Sequence, residues 1–215
     1  MRTWAIVLAA GGGARFGGSK QFEPLGTARV VDWSVQTASE ACDAVVVVVP
    51  AGVDWDGSPV AAVVSGGATR AESVRAGITA IGPDADVIVV HDAARPLASK
   101  QLFEEVVSAI QSGADAAVPG LAVTDTIKQV KNGRVTATLD RDTLMAVQTP
   151  QAFRAASLRA AHEGKLEATD DAALVEAQGG TVVVVPGDAD NLKITTTADL
   201  RVARMLLGDR LMERN

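Results

Sequence analysis

One segment of the chain interleaves cations and glycines closely enough to do chemistry: Ala9-Ala10-Gly11-Gly12-Gly13-Ala14-Arg15-Phe16-Gly17-Gly18-Ser19-Lys20-Gln21. Glycine lets a backbone turn sharply and aim successive N–H groups at one point, which makes a concavity for an anion. Arg15 and Lys20 add fixed positive charge, so the chemistry is phosphate binding and the neutralisation of charge on phosphoryl oxygens. The apolar run WAIVLA at 4–9 that feeds the segment has the length of a buried strand. Spacing removes two familiar phosphate loops. A dinucleotide fingerprint needs glycine at its first, third and sixth positions, and counting from Gly11 the sixth is Phe16. A P-loop started at Gly13 has its second glycine at Gly18, but Ser19 then stands before Lys20.

A third pattern fits. Leu8 to Arg15, followed by Lys20-Gln21, supplies the nucleotidyltransferase form L-A-A-G-x-G-x-R with K-Q shortly after it. The alternative is a glycine-rich strand-to-helix turn with two solvated cations. Asp92 and Arg95 stand in His91-Asp92-Ala93-Ala94-Arg95-Pro96, just past the apolar run 87–90. At a strand's end they either meet a ligand, Asp92 through a metal ion or hydroxyl groups and Arg95 through phosphate, or form an ion pair that ends the strand. Gly66-Gly67 likewise reads either as a close approach of backbone to a ligand or as a turn before a helix. Taken alone, Arg141 and Lys193 are solvated cations, as most are. His91 and His162 are too few for a metal site and read as structural.

The elements that must gather these residues alternate between strand and helix signals. Positions 30–41 carry a helical apolar pattern, and AVVVVV at 44–49 closes on Pro50; unbroken valine is what a strand covered on both faces looks like. A weaker strand at 60–64 runs into the Gly66-Gly67 turn. A helix at about 71–81, a strand at 87–90, a helix at 100–112 and a strand at 116–118, stopped by Pro119, follow. The expected fold is α/β: a Rossmann-like, mostly parallel twisted sheet flanked by helices, with the glycine loops and the Asp92 cluster at the carboxyl edge, where such sheets bind ligands. The rhythm breaks at 126–139, where TIKQVKNGRVTATL alternates around Asn132-Gly133, the strongest short hairpin signal. This arm, at about 123–146, needs a surface to lie on because a lone hairpin is barely stable, and a partner subunit is the natural candidate. Two short helices at 153–162 and 170–177, a valine strand at 181–185, a further sheet segment at 191–194 and a helix at about 198–207 complete the chain.

Composition narrows the setting. The 215 residues suit one domain, and 47% hydrophobic with 3% aromatic residues describes a folded core built from alanine and valine. A net charge of −6 with scattered Lys and Arg argues against nucleic acid as partner. Cys42 is the only cysteine, which excludes an intrachain disulfide and fits a reducing cytoplasm. The six-residue N-terminal apolar stretch is short for a signal peptide core, and no apolar run reaches membrane-spanning length. A cytoplasmic protein with no membrane partner is expected.

Taken in order, LAAGGGARFGGSKQF, SGGATRAESVRAGI, HDAARP, TDTIK, QTPQAF, TDDAALVE and DNLKIT spread from residue 8 to residue 196. With them the chain resembles the 2-C-methyl-D-erythritol 4-phosphate cytidylyltransferases of non-mevalonate isoprenoid biosynthesis. The resemblance implies a nucleotide-diphospho-sugar transferase fold, a homodimer locked by exchanged arms, Mg²⁺ or another divalent cation, and transfer of CMP from CTP to methylerythritol phosphate with release of pyrophosphate. Such a nucleophile is already an anion, so no activated serine or catalytic histidine is required; two repelling phosphates must be held in line while charge is neutralised. By resemblance, Arg15 and Lys20 stabilise the transition state, and Gly11, Gly12 and Gly13 donate to the triphosphate. Ala9, Ala10, Gly67 and Ser73 frame a slot for cytosine. Asp92, Arg95, Thr126, Arg141, Thr149 and Lys193 surround the polyol phosphate, Asp92 being also the metal-ligand candidate and Thr126 reaching across the dimer. Thr149 in QTPQ and Asp190 in DNLK are the weaker matches. Two departures stand out: Ala68 replaces an acid that relatives can carry, and only four residues, ending in Ser19 rather than proline, separate Arg15 from Lys20. The rival readings are a cytidylyltransferase for another polyol phosphate, such as ribitol 5-phosphate, against which Ala93-Ala94 weighs, and a non-catalytic nucleotide-binding subunit, against which the intact charged set weighs.

Overall fold

The structure, a computed structural model, describes residues 1–13, 16–164, 168 and 170–213. In chain order the elements are β1 (Thr3–Leu8), β2 (Pro24–Leu25), β3 (Ala28–Arg29), α1 (Val30–Ala41), β4 (Ala44–Val49), β5 (Ala62–Ser65), α2 (Arg70–Ala80), β6 (Val87–Asp92) and α3 (Lys100–Gln111). Then come β7 (Ala116–Ala122), β8 (Lys128–Lys131), β9 (Arg134–Thr138), β10 (Met145–Val147), β11 (Gln151–Arg154), α4 (Ala155–Glu163), α5 (Asp171–Ala177), β12 (Val182–Pro186) and α6 (Thr197–Glu213). The main sheet runs β10-β7-β11-β6-β1-β4-β5, with β12 on β7. β1 pairs in parallel with β4 and β6, and β4 with β5. The other half is mixed, since β11 is antiparallel to both β6 and β7 while β12 is parallel to β7.

Alternation along the central strands feeds two cores, one on each face. Ala5, Val7, Val45, Val47, Val87 and Val89 meet α1 and α3 through Val31, Val35, Phe103 and Val106. Their neighbours Ile6, Val46, Val48, Ile88 and Val90 point the other way, onto Val74 and Ile78 of α2, Leu158 of α4 and Val175 of α5. This is why β4 is valine from Val45 to Val49: both of its faces are covered. A third cluster, of Leu25, Val30, Leu97, Ile194, Leu200 and Leu207, seats α6 beside the mouth of the sheet.

Expected and observed elements part in several places: residues 191–194 form no strand, α6 runs on to Glu213, and three further differences bear on the site. β7 continues through Pro119, because the Pro119 carbonyl accepts from the Gln148 amide and no donor is asked of the proline itself. Phe153 lies in β11, not at the start of a helix; it is fully buried between β6 and β7, and α4 begins at Ala155. β10 and β11 succeed each other along one edge of β7, separated by Gln148, Thr149 and a cis Thr149–Pro150 bond. The hairpin forms as expected, with positive φ at Asn132 and Gly133, and its two strands pair only with each other.

Candidate active site

β1, β4 and β6 end level with one another, Leu8 standing between Val48 and Asp92, so three loops leave the sheet at one place. The first loop is held by a glutamine. The Gln21 amide group, buried, donates from Nε2 to the carbonyls of Ala9 (2.6 Å) and Gly11 (3.1 Å). With those carbonyls turned aside, the amides of Gly11, Gly12 and Gly13 donate to none of the acceptors among the described residues. Gly13 has φ +61°, and a Cβ there would lie 1.9 Å from the Gly18 carbonyl oxygen, so the loop closes on itself only with glycine. Lys20 opens a 3-10 turn, Lys20–Phe22, and its ammonium interacts with Asp199 at the start of α6.

The second loop packs against the first. A Cβ on Gly66 would meet that of Ala10 at 2.3 Å. Ser73 Oγ accepts from the Gly67 amide and donates to the Thr69 carbonyl. Glu72 accepts from the amides of Ala68 and Thr69 while Thr69 caps Glu72, a reciprocal box that fixes the start of α2. Ala9 to Gly13, Lys20, Gly67, Ser73, Asp92 and Lys193 thus line one cleft of about 250 Å³.

Its far wall is ionic. Lys193 Nζ lies 2.5 Å from Asp92 Oδ2, and Arg70 Nε lies 3.6 Å from Asp92 Oδ1. Burial alone would push the Asp92 carboxyl up, but Lys193 and Arg70 together outweigh it and hold it well below the usual carboxylate range. Behind the wall is a second cleft, lined by Arg95, Gln148, Thr149, Gln151 and Asp170 and sharing Arg70, Asp92 and Lys193 with the first. Arg95 donates to the Asn191 carbonyl at 2.7 Å, while its Nε is buried without a partner. Thr149 Oγ1 accepts from the Asp92 amide, which leaves its proton for His91 Nδ1 (3.2 Å) and makes Nε2 the donor to the Arg95 carbonyl (3.2 Å). The imidazole is therefore neutral; burial pushes its pKa down to about 4 against the pull of Asp92. Gln148 and Asn191 knit the two remaining loops, Asn191 Nδ2 donating to the Thr149 carbonyl and Gln148 Nε2 to that of Asp188.

Of the expected residues, the structure gathers Ala9, Ala10, Gly11, Gly12, Gly13, Lys20, Gly67, Ser73, Asp92 and Lys193 in one cleft, with Arg95 and Thr149 in the adjoining one. Arg15 lies outside the described residues. Thr126 and Arg141 are exposed on the arm and line neither cleft; Arg141 donates to the Thr124 carbonyl. Asp92 and Arg95 do not form the strand-ending ion pair considered above, since Asp92 faces Lys193 and Arg70 instead. Arg70, Gln21, Gln148 and Asn191 were given no role from sequence, although Gln21 belongs to the K-Q pair of the loop pattern. All four sit in the quoted segments, Gln21 in the K-Q pair, Arg70 in SGGATRAESV, Gln148 in QTPQAF and Asn191 in DNLKIT, so membership of a matching segment is the signal that could have found them.

The profile of the family described as "IspD: 2-C-methyl-D-erythritol 4-phosphate cytidylyltransferase" matches residues 3–209. The 2-C-methyl-D-erythritol 4-phosphate cytidylyltransferase of Nocardia farcinica is 46% identical, covering 96% of this chain and 94% of its own. That of Roseobacter denitrificans is 38% identical over 98% and 99%. A bifunctional IspD/IspF enzyme of Paracoccus denitrificans is 41% identical, and the present chain spans 56% of its length. The crystal structure of the Thermus thermophilus cytidylyltransferase superposes with a TM-score of 0.82 at 34% identity, covering 94% of this chain and 97% of the other. A glycine-floored cleft sharing an ionic wall with a second cleft, on this sheet and with these relatives, places the chain in the 2-C-methyl-D-erythritol 4-phosphate cytidylyltransferase family.

Proposed function

We infer that the chain catalyses the reaction its family is named for: transfer of CMP from CTP to 2-C-methyl-D-erythritol 4-phosphate, giving 4-diphosphocytidyl-2-C-methyl-D-erythritol and pyrophosphate. The observation that carries this reading is the pair of clefts sharing the Arg70–Asp92–Lys193 wall. One phosphate is bound on each side of a cationic seam, which is what an in-line attack of one upon the other needs. The undonated amides of Gly11 to Gly13 hold the triphosphate, and the tight Ala10–Gly66 contact with Ser73 shapes the slot for the base. Lys20, with Arg15, neutralises the α-phosphoryl oxygens and the leaving pyrophosphate as charge builds. Lys193 leaves Asp92 to meet the polyol phosphate, Asp92 turns to the hydroxyl groups, and Arg95 and Thr149 close the second cleft.

A divalent cation supplies charge neutralisation on the triphosphate. Asp92 would meet such a cation only once Lys193 has left it, since both carboxylate oxygens face cations here. Among the described residues no group of three or more His, Cys, Asp or Glu stands ready to hold a metal. In this reading the cation would arrive with the nucleotide, held by its phosphate oxygens, and no step passes through a protein-held metal. Thr126 and Arg141, remote from the clefts of their own chain, serve those of a second copy. Exposed Val130 and Val135 on the hairpin, 57% and 61% accessible, support such an arm exchange. Action in the cytoplasm fits, and among the described residues no helix is long and apolar enough to cross a membrane.

Pyrophosphate release by the purified protein with Mg²⁺ and CTP tests the reading. Release with methylerythritol phosphate and not with ribitol 5-phosphate is expected. The reverse preference would change the substrate, and silence with both would remove the activity.

A further inference from the structure

Behind the ionic wall lies a carboxylate that touches neither cleft. Asp171, the first residue of α5, is 1% exposed. Its Oδ2 accepts from Arg70 Nη1 at 2.7 Å and its Oδ1 from His162 Nε2 at 3.0 Å. Arg70 is thus shared between two carboxylates, Asp171 at 2.7 Å and Asp92 at 3.6 Å, and Asp92 in turn is shared between two cations, Arg70 and Lys193. The charges alternate in one line, Asp171, Arg70, Asp92, Lys193, running from the buried junction of α4 and α5 to the seam between the clefts. In such a line each group competes with its next-but-one neighbour for the group between them, so removing one charge has effects of alternating sign along it.

We propose that Arg70 and Asp171 are positioning residues that set how tightly Asp92 holds Lys193, and so how readily Lys193 is released to an anionic substrate. Asp171 draws Arg70 away from Asp92. Without the Asp171 charge, Arg70 turns wholly to Asp92, Asp92 grips Lys193 less, and the ammonium is freer. Without Arg70, the full Asp92 charge falls on Lys193 and the ammonium is held harder. A scaffold role for the same contacts predicts no such reversal: each loss would loosen the site in the same direction. The link to catalysis rests on the reading above in which Lys193 meets the polyol phosphate.

The test reads Lys193 directly, without substrate. Wild type, Asp171→Asn, Arg70→Gln and the double variant are acetylated with trace acetic anhydride, and labelling of Lys193 is compared by peptide mass spectrometry with that of Lys131, exposed on the arm. An amine held in an ion pair is acylated more slowly. Neighbours within one ionic network couple strongly enough to expect labelling about threefold faster in Asp171→Asn and about threefold slower in Arg70→Gln. Asp171→Asn then has no effect in the Arg70→Gln background, and Asp171→Glu, which keeps the charge, labels as wild type. Shifts of the same sign, or unchanged labelling in both single variants, would overturn the proposal. Should Asp171→Asn fail to fold, Arg70→Gln, at a part-exposed position, still decides: slower labelling supports the relay and unchanged labelling sinks it. In turnover, Asp171→Asn lowers KM for the polyol phosphate about threefold and leaves KM for CTP unchanged; a rise in both would overturn the relay. The expected labelling pattern in a wild type that turns nothing over would leave the relay standing and sink the proposed activity.

Discussion

Lys20 and Gln21 are neighbours with opposite duties. Lys20 faces the cleft, and its charge matters most as charge develops on the phosphoryl group. Lys20→Ala is expected to lower kcat by roughly a hundredfold or more with little change in melting temperature; an unchanged kcat in steady-state assays would take Lys20 out of the mechanism. Gln21 turns inward and holds two carbonyls. Gln21→Leu strands the Ala9 carbonyl in a buried setting, at about 1–3 kcal/mol, and releases that of Gly11, so both thermal stability and CTP affinity should fall together. His91 carries a pH dependence whose sign is fixed by burial. Its folded-state pKa of about 4 lies below the ordinary value of 6.5, so the unfolded chain takes the proton first as pH falls. The contribution is complete above about pH 6.5 and lost on descent to about pH 4, on the order of 3 kcal/mol. Urea titrations at pH 7 and pH 4.5 should show the loss, and His91→Gln should flatten it. Asp92, with its carboxyl held low, adds its own loss only below about pH 4.

Among the elements, the two loops that make the first cleft are set by the close approach of the Gly66 backbone to the Ala10 methyl group. Gly66→Ala places a methyl group 2.3 Å from the Ala10 Cβ, and one loop must yield. The expected result is a higher KM for CTP with KM for the polyol phosphate unchanged, and equal rises in both would mean that the slot is placed wrongly. α1 and β4 were legible from sequence to the residue because helical periodicity and an all-valine run leave few alternatives. β10 and β11 were not, since three- and four-residue strands carry too little pattern and owe their state to pairing with β6 and β7. The hairpin was legible because Asn132-Gly133 encodes its own turn chemistry.

At the scale of the molecule, the arm is the feature one chain leaves without a surface to lie on. Charging its apolar faces with Val130→Lys and Val135→Glu is expected to shift the protein from dimer to monomer in sedimentation velocity and to weaken the polyol phosphate more than CTP. Arg141→Ala should weaken the same substrate without changing the oligomeric state. A monomeric wild type would overturn both expectations. By itself the sequence determined what is local or ordered along the chain: the alternation of elements, the hairpin turn, the glycine loop, and the motifs that mark the family. Only the tertiary structure decided that Arg70 stands between Asp92 and Asp171, and that Asp92 is held by Lys193, 101 residues away along the chain. Charges far apart in sequence are brought together by the register of parallel strands and by loop packing, and neither leaves a periodic trace in the residues themselves.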